Sequence, residues 1–365
     1  MDVVHYINKS FSRPLDQLNR KLWEFNQNMN SRKRIKDYLR FHNIPKLTRQ
    51  EDKEVRLYFK SKGYTLKHTD WHAYYKARSG QFCLEYIPRG LFKTKISPKL
   101  NQTIQWPALL DKNLAYRIFR GFNQPERVVQ NINGLYYINE KQVSHSKAVL
   151  KINEISELLI IKPSLDSGGG KMVAAFKILG DVTSYQNLSV EGLFRLYKKD
   201  FIIQKFVDQS EAMRNLNPSS LNTLRVVSYL NNDGVHVLSV NAKIGGKNNF
   251  TDNYSTGGFI CGIDQNGNFK SKGYAKNGAI LEETLTGIKL AGYVIPNYKA
   301  MINMVKSMHL RVPYFRLISW DIGINSLDKP MLIEYNTYNQ GFEQQICNGP
   351  LFGTFTDEIL AEARQ

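Results

Sequence analysis

Two apolar runs, Leu224 to Leu230 and Val235 to Ile244, flank Asn231-Asn232-Asp233-Gly234. Asn, Asp and Gly supply the left-handed backbone of a tight hairpin turn, so this stretch commits the chain to a long antiparallel pair. A second pair, Arg316 to Ile324 and Met331 to Asn336, flanks a polar turn over residues 325–330. Tyr136-Tyr137-Ile138 after Asn133-Gly134 repeats the signal on a smaller scale. Leu158 to Ile161 and Phe201 to Ile203 read as buried strands. Leu109 to Phe119, with Asp111 near its start, Ser144 to Leu150 and Pro296 to Met308 read as helices. The class is α+β with antiparallel sheets, and no repeat of solenoid period is present.

The first 60 residues differ from the rest. Leu18, Leu22, Phe25 and Met29 recur at helical spacing among Arg20, Lys21, Arg32, Lys33, Arg34 and Lys36. Pro45 and the stretch at Thr48 break this helix, and a second begins near Glu51. Two readings stand: a basic arm whose apolar side packs on the main body, or one that contacts an anionic membrane. From Tyr64 to Asn101, aromatic and basic residues mix, and short strands and turns are expected, with a turn at Pro88-Arg89-Gly90.

With 42% hydrophobic residues the chain is not a disordered one. Its net charge of +18 suits an anionic partner without choosing among nucleic acid, lipid, acidic sugar and nucleotide phosphates. Cys83, Cys261 and Cys347 are isolated, which argues against a disulfide framework or a zinc site. The start, MDVVHYINKS, lacks a basic segment followed by an apolar run, and no apolar stretch is long enough to span a bilayer. A cytoplasmic protein, with peripheral contact at the inner face of the membrane as a further reading, is expected.

Four constellations carry chemistry. In IIKPSLDSGGGK an apolar strand delivers Lys162, followed by Gly168, Gly169, Gly170 and Lys171. Glycines let backbone amides approach phosphate oxygens, and the lysines add positive charge. The run matches neither a Walker A loop nor GxGxxG, and a ligand-free glycine turn is the alternative. In the late hairpin, a turn centred between Leu327 and Asp328 sets Asp321 opposite Glu334, with Asn336 on the same face. Two carboxylates and an amide suit a hard cation such as magnesium; a hairpin face salt-bridged to Lys or Arg is the alternative. In the earlier hairpin, a turn centred between Asn232 and Asp233 sets Asn222 opposite Lys243, with Arg225 on the other side unless a bulge intervenes. Finally, the strand Ile203-Gln204-Lys205-Phe206-Val207-Asp208 ends in groups suited to a base and a ribose.

Taken in order, these segments, with ISPKLN from Ile96, DKN from Asp111, DNYSTGG from Asp252, WDIGI and LIEYNT, resemble the ATP-grasp superfamily, and most closely its sugar-transfer associated members. The resemblance covers about residues 65 to 355 and leaves the basic arm outside. It implies two α/β subdomains clasping ATP, a lid subdomain at residues 151–207 and a catalytic subdomain at 208–365, which follow the basic arm at 1–60 and an N-terminal α/β region at 61–150. It implies phosphate contacts from Lys112 and Lys162, a lid formed by Gly168 to Lys171, and an adenine hinge at Gln204, Lys205, Phe206 and Val207. Asp208 or Glu211 would meet the ribose. Asp321, Glu334 and Asn336 would ligate magnesium, and Arg225 and Lys243 would touch the γ-phosphate and an acyl phosphate. Gln204 stands where many relatives carry Glu. The implied activity is ATP-dependent amide formation from a small carboxylate and an amine, with a sugar acid or amino acid as substrate in surface-polysaccharide synthesis. An ATP-grasp kinase and a basic nucleic-acid-binding protein are the competing readings; no helix-turn-helix, zinc-finger or RNP pattern supports the latter.

Overall fold

The computed structural model describes residues 3–165, 172–247, 249–338, 340–341 and 343–364, with side chains from residue 18 onward. The chain forms two compact units: Met1–Asn101 with Gly349–Gln365, and Gln102–Asn348. The helical arm expected over residues 1–60 therefore shares its unit with residues 61–101 and the C-terminal stretch.

The first unit is helical. It contains α1 (Val3–Phe41), α2 (Arg49–Ser61) and α3 (Asp70–Ser79). Thr48 begins α2 with a capping box: the Glu51 amide donates to Thr48 Oγ1 at 3.2 Å, and the Thr48 amide donates to the Glu51 carboxylate at 2.9 Å. Two amides that the helix leaves unpaired are thereby satisfied. The strands expected over residues 64–101 are absent among the described residues, and the turn lies at residues 84–85 instead of at Pro88-Arg89-Gly90. Trp71, Tyr74 and Tyr75 are buried on α3. Aromatic content favours strands by propensity, but these three lie at i, i+3 and i+4, which is one helical face. Trp71 Nε1 donates to Ser31 Oγ at 3.1 Å, and Tyr38 stacks on Tyr74. Pro88 likewise opens a continuous run of α, π and α turns over residues 89–100 instead of a reverse turn. The C-terminal helix Thr356–Arg364 joins this unit: Tyr64 Oη donates to the Leu360 carbonyl at 2.8 Å, and Lys62 pairs with Asp357 at 2.7 Å.

The second unit is built on two antiparallel sheets. Its strands are β1 (Arg127–Ile132), β2 (Leu135–Ile138), β3 (Lys141–Val143), β4 (Leu159–Pro163), β5 (Ala174–Phe176), β6 (Ile178–Leu179), β7 (Val182–Thr183) and β8 (Phe201–Lys205). Then come β9 (Thr223–Asn231), β10 (Gly234–Ile244), β11 (Phe259–Ile263), β12 (Phe269–Ala275), β13 (Ile280–Leu281), β14 (Leu317–Ile324) and β15 (Pro330–Asn336). One sheet runs β3-β2-β1-β8-β4-β5, the other β13-β12-β11-β10-β9-β14-β15, and β6 pairs with β7.

Alternation along the strands assigns the faces. On the first sheet Val129, Leu159, Ile161, Phe201 and Ile203 pack with Ala148, Val149 and Ile152 of helix His145–Asn153 and Leu193 and Phe194 of helix Val190–Tyr197. Gln130, Lys162 and Gln204 lie on its other face. On the second sheet Leu224, Val226, Val240, Ala242, Trp320 and Ile322 pack with Met301, Val305 and Met308 of helix Tyr298–His309. Helix Lys112–Ile118 joins the two. On the polar side of the first sheet Gln130 Nε2 donates to the Asn113 carbonyl and Asn113 Nδ2 to the Asn131 carbonyl, each at 3.0 Å, while Phe119 packs on Trp320 and Tyr335 in the core of the second.

Inside the second core, Trp320 Nε1 donates to Ser228 Oγ at 2.8 Å, which donates to His309 Nδ1 at 2.7 Å, and His309 Nε2 donates to the Phe315 carbonyl at 2.8 Å. With a neutral imidazole protonated on Nε2, the bonds run head to tail from Trp320 to Phe315. Burial pulls the His309 pKa down to about 4, and burial does the same to His72 in the first unit. Each stays neutral when folded but protonates near 6.5 when unfolded. The contribution of each histidine is therefore level above pH 6.5 and falls as pH drops toward 4, by roughly 3 kcal/mol at the lower limit. Urea midpoints measured from pH 7 to 4 should show this decline, and His309→Phe should flatten part of it; a midpoint independent of pH would contradict the neutral assignment.

Candidate active site

The polar face of the second sheet carries a row of residues across four strands: Asn241 of β10 pairs with Arg225 of β9, Arg225 with Asp321 of β14, and Asp321 with Glu334 of β15. The facing of Asp321 and Glu334 is as expected, although the pairs nearer the turn run one residue off that register. Ile333 is the extra residue that brings Glu334 opposite Asp321. The other hairpin corrects the sequence reading. A shift between Val237 and Ser239 leaves Leu238 as an extra residue, so Lys243 pairs with Thr223 and not with Asn222. Arg225, two residues from Thr223, thus shares the face of Lys243. Asn222 is a buried structural link, its amide donating to the Met213 and Asn217 carbonyls at 2.8 and 2.9 Å.

Four charges meet on this face. Arg225 holds Asp321 with two parallel bonds, Nε to Oδ1 at 2.5 Å and Nη2 to Oδ2 at 2.8 Å. Lys243 Nζ lies 3.1 Å from Asp252 Oδ1 and 3.5 Å from Asp321 Oδ2. Thr223 Oγ1 donates to the other oxygen of Asp252. Burial alone would raise the Asp321 carboxyl, but the charges and hydrogen bonds of Arg225 and Lys243 outweigh it and hold it at about 2. Burial likewise opposes the charged forms of Arg225 and Lys243, yet the carboxylates drive both upward. Burial, with the Asp321 charge adding to it, pushes Asp252 up despite Lys243.

Beside this row, a cleft is lined by Lys112, Tyr116, Lys162, Gln204, Glu334 and Tyr335, among others. Asp111 caps the helix that carries Lys112 by accepting from the Asn113 amide at 2.7 Å. The Lys112 amide donates to the Ser164 carbonyl at 2.9 Å, and Ser164 Oγ donates to Asp111 at 3.3 Å. That clasp ties the helix start to the end of β4 and brings both lysines to one cleft. Lys112 Nζ is 3.8 Å from Glu334 Oε2. Burial, and then the Lys112 charge, lower the Lys162 pKa to about 8, with Glu334 opposing.

The family model for sugar-transfer associated ATP-grasp proteins matches residues 91–357, well over half of the chain. The chain belongs to the sugar-transfer associated ATP-grasp family. Among solved structures it is similar to the ATP-grasp ligase PsnB complexed with a precursor peptide and AMPPNP (13% identity, TM-score 0.40, 71% of this chain and 60% of that one). It is similar also to an L-amino acid ligase from Bacillus licheniformis (13%, 0.40, 70% and 47%) and to D-alanyl-alanine synthetase A from Vibrio cholerae (12%, 0.38, 70% and 63%). The chain thus spans between about half and two thirds of the length of these proteins. No curated protein matches the sequence.

The remaining expected contacts of this ATP-grasp chain fall in different places. Gln204 is in the cleft, donating to Tyr116 Oη at 2.6 Å. Lys205, next in the strand, points the other way and pairs with Glu126 and Glu157 at 3.3 and 3.0 Å. At the hinge, the Phe206 amide donates to the Leu158 carbonyl at 2.9 Å, and Val207 is buried. Asp208 is exposed and bound by Arg214 at 2.5 Å; Glu211 opens the helix Glu211–Leu216. Gly168, Gly169, Gly170 and Lys171 lie outside the described residues. Asn336 pairs with Ser319 and has a buried amide nitrogen with no partner. Among the described residues no cluster of three or more His, Cys, Asp or Glu is arranged as a metal site. Asp252, Thr223 and Tyr116 were not singled out by sequence reasoning. Asp252 heads the DNYSTGG segment, and that was its only signal.

Two substitutions test this electrostatic description. Lys162 is charged in the unfolded chain up to its ordinary pKa of 10.5 but only up to about 8 when folded. Its burial thus costs stability at neutral pH, roughly 3 kcal/mol. Lys162→Met should raise the melting temperature at pH 7, with the gain fading as pH passes 10. Asp321→Asn should do the reverse, losing about 3 kcal/mol or more by leaving two buried cations short of a partner. The double change Arg225→Met, Asp321→Leu should recover much of that loss in the same denaturation assay.

Proposed function

We propose that this chain is an ATP-dependent carboxylate–amine ligase that joins an amino acid with a sugar or sugar acid in surface-polysaccharide synthesis. The observation that carries the reading is the convergence of Lys112, Lys162 and Glu334 on one cleft from three separate elements, next to the Arg225 and Lys243 cations. The family's association with sugar transfer supports the substrate class.

In the proposed reaction the substrate carboxylate attacks the γ-phosphorus of ATP. An O–P bond forms, the bond to the β-phosphate oxygen breaks, and ADP leaves. The amine then attacks the acyl carbon, inorganic phosphate departs with the former carboxylate oxygen, and the amine proton passes to solvent. Lys112 and Lys162 hold the triphosphate, whose charge would otherwise repel an incoming carboxylate. Arg225 and Lys243 face the transferred phosphoryl group and the acyl oxygen, kept in line by Asp321 and Asp252. Gln204 and the hinge at Phe206 and Val207 border the base, and Asp208 or Glu211 the ribose.

The residues present fit a magnesium ion in part. Asn336 has an unpartnered buried amide on the face of Glu334, and an amide flip puts oxygen where nitrogen stands. Magnesium needs only one or two carboxylates when phosphate oxygens complete its shell. Glu334 and Asn336 would hold it, supplying charge neutralisation at the phosphates, while Asp321 has both oxygens engaged by Arg225.

An ADP-release screen of sugar acids and amino acids, with amines added, tests the proposal. Release should need both a carboxylate and an amine, and Glu334→Gln and Lys162→Met should each lower it by about a hundredfold or more while the fold persists. Release with a hydroxyl acceptor alone would make the protein a kinase, and failure to bind ATP would overturn the reading.

A further inference from the structure

The helix α1 has two unlike sides. Its inner side carries Glu24, Ser31, Ile35 and Tyr38. Glu24 pairs with Lys95 at 2.8 Å, Ser31 accepts from Trp71, Ile35 is fully buried and Tyr38 stacks on Tyr74. This is the side by which the helix packs within its own unit. The apolar residues at 18, 22, 25 and 29 follow the spacing i, i+4, i+7, i+11 and occupy the opposite side. Leu18, Leu22, Phe25 and Met29 are 53%, 53%, 61% and 51% exposed. The apolar stripe is thus not the packing face, contrary to one of the two readings of the basic arm.

Charge on that outer side is predominantly positive. Lys21 flanks the stripe, and Arg32, Lys33, Lys36 and Arg40 continue it, all exposed. Between residues 18 and 40 the acidic residues are Glu24, which is engaged by Arg20 and Lys95, and the exposed Asp37, against five exposed cations on this side. We propose that the outer side of α1 docks on an anionic lipid surface, with Leu18, Leu22, Phe25 and Met29 entering the interface and the five cations meeting lipid phosphates. Charge complementarity selects this occupant. A second copy in parallel would set cations against cations. In antiparallel pairing it would cover cations with the apolar stripe. Both arrangements leave the charges desolvated without partners. No helix among the described residues is long and apolar enough to cross a membrane, so the contact is peripheral. The stripe lies outside the family-matched residues 91–357, and the proposal is independent of the ligase reading.

Co-sedimentation of the full chain with vesicles tests it. Binding is expected to phosphatidylcholine vesicles containing phosphatidylglycerol, to fade as salt rises, and to be weak on phosphatidylcholine alone. Each cation replaced by Gln among Arg32, Lys33, Lys36 and Arg40 should lower the partition coefficient about fivefold. Leu22→Gln with Phe25→Gln should abolish binding with the charge unchanged, and far-ultraviolet circular dichroism should confirm that both variants keep their helices. A wild-type protein that stays in the supernatant at low salt overturns the proposal. So does equal binding to neutral vesicles, or a dimer by sedimentation velocity that Leu22→Gln with Phe25→Gln dissociates.

Discussion

The site rests on one arrangement: the bidentate pair between Arg225 and Asp321, with Lys243 and Asp252 completing it, set on the polar face of a seven-stranded sheet. Charges withdrawn from water are expensive unless each meets a partner in good geometry. Here two cations and two carboxylates balance, so the group is neutral within itself. The sheet register must therefore be held closely, because sliding one strand by a residue would turn a charge into the Trp320 core. The extra residue Leu238 in β10 and the extra residue Ile333 in β15 set that register. Without the first, Lys243 and Arg225 would lie on opposite faces.

The cleft is organised on a different principle. Lys162 is buried with its pKa lowered, and Lys112 beside it raises the cost of its charge. Nothing in the fold gains from placing two lysines together. What holds them there is local chemistry at the helix start, where Asp111 caps the helix, Ser164 ties β4 to it, and Asn113 and Gln130 lock the helix against β1. A site that loses stability to keep a cation ready is the usual trade between stability and activity.

Much of this was legible in the sequence. Asn231 to Gly234 announced a hairpin because few residues tolerate that turn, and the facing of Asp321 and Glu334 followed from counting across the second turn. The count was one residue off near the turn, at Ile324 and Pro330, and the Ile333 bulge restored it. In the other hairpin an equal shift was not compensated, and Lys243 was set against Asn222 in error. A bulge changes no hydrophobic pattern that alternation can detect. Residues 64–101 are obscure for another reason: their aromatic content favours strands by propensity, while the helical face shows only in the i, i+3, i+4 spacing of Trp71, Tyr74 and Tyr75. Asp252 stayed hidden because its partners, Thr223 and Lys243, are set by strand pairing and not by any local pattern.

The charge balance also bears on how a triphosphate would sit. The Arg225 group cancels internally, so it offers directed hydrogen bonds and little net field. In the cleft, two lysines against one glutamate leave a single positive charge. A nucleoside triphosphate carries several negative charges, and an incoming carboxylate adds another. One excess cation does not balance that load in a partly dry cleft, where unscreened repulsion is strong. Under the proposed function a divalent cation on Glu334 and Asn336 would relieve the deficit. Such an ion would arrive with the nucleotide, so that part of the positive charge need not be carried, unpaired, by the fold itself.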